Sequence, residues 1–219
     1  MNNHITFHPS HEGIVSICNQ DTTICKLINH IGPLTLKTNE NHLEALVMSI
    51  IGQQLSAKAA STIRQRVKML CSEITPERVL RTPIENFRNA GVSRTKIEFI
   101  FDLCKKVHSN EISFANFHSQ ENETVINSLT SVKGIGKWTA EMFLIFSLGR
   151  LNVLSLGDAG LQRATKWLYQ LDDRPKNKYM EEVSINWHPY YSIVSLYLWE
   201  SIDLGFVDHF PTIEDVNEK

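Results

Sequence analysis

Residues 129–140 read Leu-Thr-Ser-Val-Lys-Gly-Ile-Gly-Lys-Trp-Thr-Ala, and they are the part of this chain whose residue types and spacing best suit a chemical task. An apolar helix ends near Ser131, a turn carries Gly134 and Gly136, and a new helix opens near Lys137. Glycines in such a turn allow torsions closed to other residues and let another backbone come close. The first-turn N–H groups of the new helix, with its dipole, make an anion site. Lys133 and Lys137 add positive charge there, so the chemistry is the holding of a phosphate. A tight corner between two helices is the plain alternative. The second chemical residue is Asp158, in Leu156-Gly157-Asp158-Ala159-Gly160-Leu161, twenty residues beyond Trp138. It precedes the helical pattern of residues 161–168, and by spacing alone an ordinary N-cap is the better reading. A carboxylate fixed at such a place can also stabilise a developing cation.

The elements that must position these residues read as helices almost throughout. Leu43, Leu46, Val47, Ile50 and Ile51 recur at helical spacing, as do Ala59, Ile63, Val67 and Leu70. Ile97, Ile100, Phe101 and Val107 continue the pattern, followed by Met142, Leu144, Ile145 and Leu148, then Ile193, Val194, Leu196, Leu198 and Trp199. Breakers such as Gly32-Pro33, Thr75-Pro76, Thr82-Pro83, Gly91, Gly149, Gly157, Arg174-Pro175 and His188-Pro189 leave room for helices of roughly 8–16 residues. Thr75-Pro76-Glu77 has the form of a helix start with proline at the first position. Strand-like alternation is sparse, so the expected fold class is all-α. Residues 1–20 are polar and expected to be an N-terminal arm or a short strand, with residues 21–219 as the main domain.

The 219 residues suffice for one large domain or two small ones, and 42% hydrophobic with 21% charged residues excludes a disordered chain. The formal net charge of -2 argues against a protein held to nucleic acid by total charge alone. Charge is uneven, however. Residues 56–70 hold four bases and no acid, residues 129–167 five bases against two acids, and residues 170–219 ten acids against four bases. Solvated helix faces would explain each stretch singly, yet both basic stretches coincide with the motifs described here. No apolar run reaches membrane-spanning length and no secretion signal is seen at the start. Cys18, Cys25, Cys71 and Cys104 form no CxxC pair, so neither a zinc ribbon nor a disulfide scaffold is expected, and a reduced compartment is the plain reading. His4, His8 and His11 have helical spacing but sit beside Pro9 in the polar terminus, where an arm is a better reading than a metal site. No phosphate-binding loop, dinucleotide fingerprint or serine elbow occurs.

Extended to L-x-x-V-x-G-I-G-x-W-T-A-E, the glycine turn resembles the helix-hairpin-helix of the HhH-GPD superfamily of DNA repair glycosylases, here over about residues 122–148. The likeness runs from about Asp21 to Trp199 and points to the branch of 3-methyladenine DNA glycosylase II, in its compact form. It implies two helical subdomains with the hairpin and an active-site cleft between them. It makes Asp158 the catalytic carboxylate and reverses the reading from spacing. Lyase members, such as those resembling endonuclease III, carry a nucleophilic Lys directly after the Gly-x-Gly-x segment. Trp138 stands there in this chain, so no Schiff base can form by that route. The Fe–S cluster of that branch needs four late cysteines, and the last here is Cys104.

The resemblance also assigns the binding residues. A glycosylase extrudes its target base from the duplex and fills the gap. Ile50-Ile51-Gly52-Gln53-Gln54-Leu55-Ser56-Ala57-Lys58 is similar to the family's duplex-probing loop. Gln54 maps to the residue that enters the vacated space, with Gln53, Leu55 and Ser56 beside it. Lys133, Gly134, Gly136, Lys137 and Thr139 would meet the DNA backbone. Trp138 and Trp199 would wall the base pocket, where aromatic faces suit an electron-poor alkylated purine. Core packing is the better reading for Trp167 and Trp187. Gly91-Val92-Ser93-Arg94-Thr95-Lys96 resembles a family turn with a structural role. The backbone carbonyls of Thr130, Val132 and Gly134 would hold Na⁺ or K⁺, and no other cofactor is expected. Three positions depart from the pattern: Tyr191 replaces a usual Arg, Ala159 a common Leu, and the loop before Asp158 lacks its frequent proline. The implied activity is monofunctional excision of alkylated purines of the 3-methyladenine and 7-methylguanine type from duplex DNA. A non-catalytic helix-hairpin-helix DNA-binding protein and a helical interaction scaffold are the rivals. A monomer is expected, in the cytoplasm at the nucleoid of a bacterium or in a eukaryotic nucleus.

Overall fold

The computed structural model describes residues 4–216. The chain divides into two compact units, one formed by residues 1–38 and 149–219, the other by residues 39–148. The first opens with strand β1 (His4–Phe7), helices α1 (Glu12–Gln20) and α2 (Thr22–Ile31), and strand β2 (Leu34–Lys37). The second contains α3 (His42–Gly52), α4 (Ala57–Cys71), α5 (Pro76–Arg81), α6 (Ile84–Asn89), α7 (Arg94–His108), α8 (Asn122–Thr130) and α9 (Lys137–Phe146). The chain then returns to the first with α10 (Ala159–Leu168), α11 (Asn177–Ser184), α12 (Tyr191–Asp203) and α13 (Phe206–His209). Short 3₁₀ turns occupy Phe114–Ser119, Ile185–Trp187 and Ile213–Asp215.

In the first unit α12 is the central element, lying against α2 and α10, with α1 on α2. Its stripe of Ile193, Val194, Tyr197 and Leu198 is buried together with Ile24 and Leu27 of α2 and Leu161 and Ala164 of α10. The strands pair antiparallel, His4 opposite Lys37 and Phe7 opposite Leu34. Residues 4–20, expected as an arm or a short strand, hold the strand β1 and also the helix α1. Phe7, Ile14 and Ile17 are buried, and that burial holds a segment whose short apolar pattern is too brief to announce an element. Met1–Asn3 of the same expected arm lie outside the described residues. His11 caps α1, its Nδ1 accepting from the Gly13 N–H at 3.0 Å, and among the described residues no cluster could hold a metal through His, Cys, Asp or Glu.

The cysteine reading also needs correction. Cys18 and Cys25 are joined as a disulfide, their Cα atoms 4.6 Å apart, while Cys71 and Cys104 are buried thiols. The pair bridges α1 and α2 across the break at Asp21, a spacing of seven that a search for CxxC pairs passes over. Asp21 itself caps α2 through Thr23 N–H and Ile24 N–H, and its other oxygen receives the Trp187 indole at 3.0 Å and the Tyr169 hydroxyl.

In the second unit the α3 stripe (Leu43, Leu46, Val47, Ile50, Ile51) is wholly buried, with α4, α7 and α9 lying against that helix, and Val67, Val79, Ile97, Ile100, Leu129 and Leu144 are buried in the same unit. Thr75 and Pro76 start α5 as their types dictate, the Thr75 hydroxyl accepting from the Arg78 N–H.

Candidate active site

The carboxylate of the first unit is placed by a clamp on the segment before it. Ser192, buried in the first turn of α12, donates its hydroxyl to Arg150 O at 2.7 Å and accepts the Val153 N–H at 3.2 Å, while its own N–H reaches Leu151 O at 2.9 Å. The chain then turns at residues 155–158, with Asp158 N–H on Ser155 O at 3.0 Å, and α10 begins. Gln162 secures the turn from the helix side, its amide donating to Leu156 O at 2.8 Å.

Asp158 is the N-cap of α10, so the reading from spacing is right as far as it goes. Its Oδ1 accepts the Leu161 N–H at 2.7 Å. The same oxygen accepts the Trp199 indole N–H at 3.1 Å. That second donor is what a cap does not need. It comes from α12, and it fixes the rotation of a carboxylate that is only 7% exposed. The Trp199 ring is partly buried and its N–H orients Asp158. Gly160 keeps the space clear, because a Cβ there would stand 3.2 Å from Asp158 Oδ1 and 3.4 Å from the Trp199 ring. An open pocket of about 440 Å³ adjoins on α10, lined by Ala159, Gly160, Arg163, Lys166, Arg174 and Ile202. Its bases are engaged by Asp208, the Asp172 carbonyl and the Ala159 carbonyl. Trp167 and Trp187 are buried in the core, and Tyr191 opens α12 with its ring 5.6 Å from that of His188.

The second unit carries the hairpin. Helix α8 ends at Thr130, the turn follows, and α9 starts at Lys137 with Gly136 as its N-cap. The two glycines differ in kind. Gly134 has φ +79°, and a Cβ on it would fall 1.9 Å from the Phe99 ring of α7. It must be glycine for torsion and for packing. Gly136, by contrast, has an ordinary φ of −90° and nothing within 4 Å of where its Cβ would be. Its use is therefore the open approach to the backbone and not a special torsion. The Lys133 N–H is held by the Asp102 carboxylate of α7 at 2.9 Å, while the Lys133 and Lys137 side chains are exposed. The Thr139 side chain is buried in the first turn of α9. Trp138 is 49% exposed beside it.

The loop after α3, residues 53–56, joins the hairpin inside this unit. The Gln53 amide donates to Gly134 O at 2.9 Å. Gln54 is exposed and adopts φ +56°, a left-handed torsion costing roughly 1–2 kcal/mol for a residue with a Cβ. Leu55 is 39% exposed, and Ser56 is spoken for as the N-cap of α4, accepting the Ala59 N–H. The sequence missed the residues that hold this loop, Lys96 and Arg64. Lys96 donates to Ile51 O at 2.8 Å and to Gln53 O at 2.6 Å, and Arg64 Nε donates to Met48 O at 2.8 Å. The segment from Gly91 to Lys96 was visible as a motif; its target, more than forty residues away, was not.

The carbonyls of Thr130, Val132 and Gly134 are all hard oxygen donors, which suits Na⁺ or K⁺. Val132 O already accepts from Ile135 N–H and Gly134 O from Gln53, and a carbonyl keeps a second lone pair after one such bond. The donor set fits the ion.

Comparisons with known proteins place the chain in a family. The chain is 41% identical to a DNA-3-methyladenine glycosidase of Bacillus halodurans, whose crystal structure superposes with a TM-score of 0.88 over 97% of this chain and 98% of that one. The 3-methyladenine DNA glycosylase Mag1 of Schizosaccharomyces pombe, solved with abasic DNA, is 28% identical with a TM-score of 0.77, covering 88% of this chain and 97% of that one. YfjP of Bacillus subtilis is 33% identical over 166 residues, 72% of this chain, which spans 58% of that protein's length. Residues 47–189 match the family model of HhH-GPD superfamily base excision DNA repair proteins, and to that superfamily the chain belongs.

Proposed function

We propose that this chain is a monofunctional DNA glycosylase that hydrolyses the N-glycosidic bond of alkylated purines, of the 3-methyladenine and 7-methylguanine type, in duplex DNA. The observation that carries the reading is the Asp158 carboxylate, buried at the start of α10 and turned by the Trp199 indole. Breaking the bond between C1′ and the purine nitrogen sends the electron pair to the base and leaves oxocarbenium character on the sugar. An alkylated purine already carries positive charge, so it departs neutral and needs little acid assistance. Asp158 stabilises the sugar cation electrostatically and orients or deprotonates the water that adds to C1′. The kinship with the Bacillus halodurans and Schizosaccharomyces pombe enzymes supports this substrate class.

The remaining assignments follow the same reading. Gln54 fills the space of the extruded base, Trp138 and Trp199 flank the purine, and the turn at Gly134 and Gly136 holds backbone phosphate with Lys133 and Lys137. A Na⁺ or K⁺ ion on the carbonyls of Thr130, Val132 and Gly134 would add positive charge beneath that phosphate. Lyase chemistry needs an amine that position 138 lacks. Lys137 precedes it on α9 and points about 100° away around the helix, while Lys133 lies in the turn before that helix. The protein acts as a monomer wherever the genome lies, at the nucleoid or in a nucleus.

The test is mass-spectrometric identification of bases released from methylated duplex DNA. Wild-type protein should release methylated purines. Asp158→Asn should release them at least about 10²-fold more slowly while binding an abasic-analogue duplex as tightly as before. Duplex binding without any release by the wild-type chain would establish the rival, a helix-hairpin-helix module without chemistry.

A further inference from the structure

The loop that carries Gln54 is tied down far more heavily than a surface turn requires. Helix α3 ends at Gly52, and its last turn is already closed by the Gln53 N–H on Ile50 O at 3.4 Å and the Leu55 N–H on Gly52 O at 3.2 Å. Two cations from other helices are added. Lys96, in the first turn of α7, spans the end of α3 with bonds to Ile51 O and Gln53 O. Arg64 of α4 bonds Met48 O, and its guanidinium lies over Gly52 so closely that a Cβ there would be 2.1 Å from Nη2. Positive charge at a helix C-terminus is favourable, yet one solvated lysine would meet that need. The common target is Gln53. Its N–H is bonded to Ile50, its carbonyl to Lys96 and its side-chain amide to Gly134 of the hairpin. The residue before Gln54 is thereby fixed at three points, and Gln54 is held in its left-handed torsion with the side chain outward. Partial burial, and in lesser measure the charge of Arg64, lowers the Lys96 pKa, the mark of an ammonium drawn in from solvent to make these bonds.

We propose that Lys96, backed by Arg64, is a positioning residue for base extrusion: its ammonium clamps the Gln53 carbonyl and so sets the direction in which Gln54 enters the duplex. This rests on the reading of Gln54 as the residue that fills the vacated space. It also accounts for residue types. A long cation is needed at position 96 to reach two carbonyls across the end of α3, and glycine at position 52 because the Arg64 guanidinium occupies the place of its Cβ.

The experiment uses the full chain and a duplex with 2-aminopurine next to a tetrahydrofuran abasic analogue, whose emission rises when a side chain wedges the stack open. Measured at saturating protein, the amplitude does not depend on affinity or turnover, and a purely structural residue leaves it unchanged. Wild type should give the full rise and Gln54→Ala little of it. Lys96→Met should cut the rise by more than about half, the consequence of losing two charge-assisted bonds, and Lys96→Arg should restore most of it. Gly52→Ala, whose clash falls on the flexible end of Arg64, should also lower it and serves if Lys96→Met fails to fold. A wild-type rise in Lys96→Met, or in Gly52→Ala where that variant stands in, overturns the proposal. Equal rises in wild type and Gln54→Ala overturn the wedge reading first, and the role of Lys96 with it.

Discussion

Gly134→Ala isolates the part of the hairpin that the fold itself demands. An alanine held at φ +79° costs roughly 1–2 kcal/mol in torsion alone. Its Cβ would also stand 1.9 Å from Phe99 Cδ2 and 2.4 Å from Cγ and Cε2, so the ring must leave its place. Displacing a packed side chain in this way costs about 1–3 kcal/mol, giving a total of roughly 2–5 kcal/mol. The assay is urea unfolding by circular dichroism, run in the wild-type and Phe99→Ala backgrounds. Removing the ring relieves the clash but not the torsion, so in Phe99→Ala the same substitution should cost only about 1–2 kcal/mol. A loss below about 0.5 kcal/mol, or an equal loss in both backgrounds, would refute the packing argument. Gly136→Ala is the contrasting variant. It meets nothing and needs no unusual torsion, so it should cost less than about 1 kcal/mol while weakening duplex binding.

The capping role of Asp158 and its proposed catalytic role separate by substitution. Asparagine caps a helix as well as aspartate, so Asp158→Asn should unfold near the wild-type midpoint, whereas Asp158→Ala should lose about 1–2 kcal/mol by leaving the Leu161 and Trp199 N–H groups unmet. Equal midpoints for the two would show that the cap contributes little. Lys133→Gln and Lys137→Gln should each lower the slope of log K against log salt for duplex binding by about 1, as measured by fluorescence anisotropy, with Lys137 the weaker because Glu141 lies 4.0 Å from its ammonium. Burial pushes the Cys104 thiol and the Tyr197 hydroxyl each up to about 12, and burial with the Asp21 carboxylate raises Tyr169 further. In the unfolded chain these groups lose their protons at lower pH than in the folded one. Stability should therefore be flat at neutral pH and fall as pH rises from about 9 toward 12, read as a declining urea midpoint.

Much of the fold was legible because it depends on local periodicity. The α3 stripe is buried to the last residue, and the hairpin falls where the glycine turn places it, between α8 and α9. What escaped depends on partners distant in sequence. The bond from Trp199 to Asp158 spans 41 residues and those from Lys96 span 43 and 45, so no local pattern announces them. Thr139 stands next to exposed Trp138, and only the winding of α9 turns it inward. The two glycines of the turn look alike in sequence, and the Phe99 ring tells them apart. β1 has four residues, too few for alternation to stand out, and pairs with a strand some thirty positions later.

The first unit is discontinuous, and this orders its birth on the ribosome. Residues 39–148 are contiguous, so the hairpin and its probing loop have every partner in their unit once that stretch has emerged. Helix α2 must wait for α12, made more than 150 residues after it, before its apolar face is covered. Translation halted near residue 148 thus leaves the hairpin and the loop at Gln54 without Asp158 and the indole bonded to it, which come only from the last third of the message.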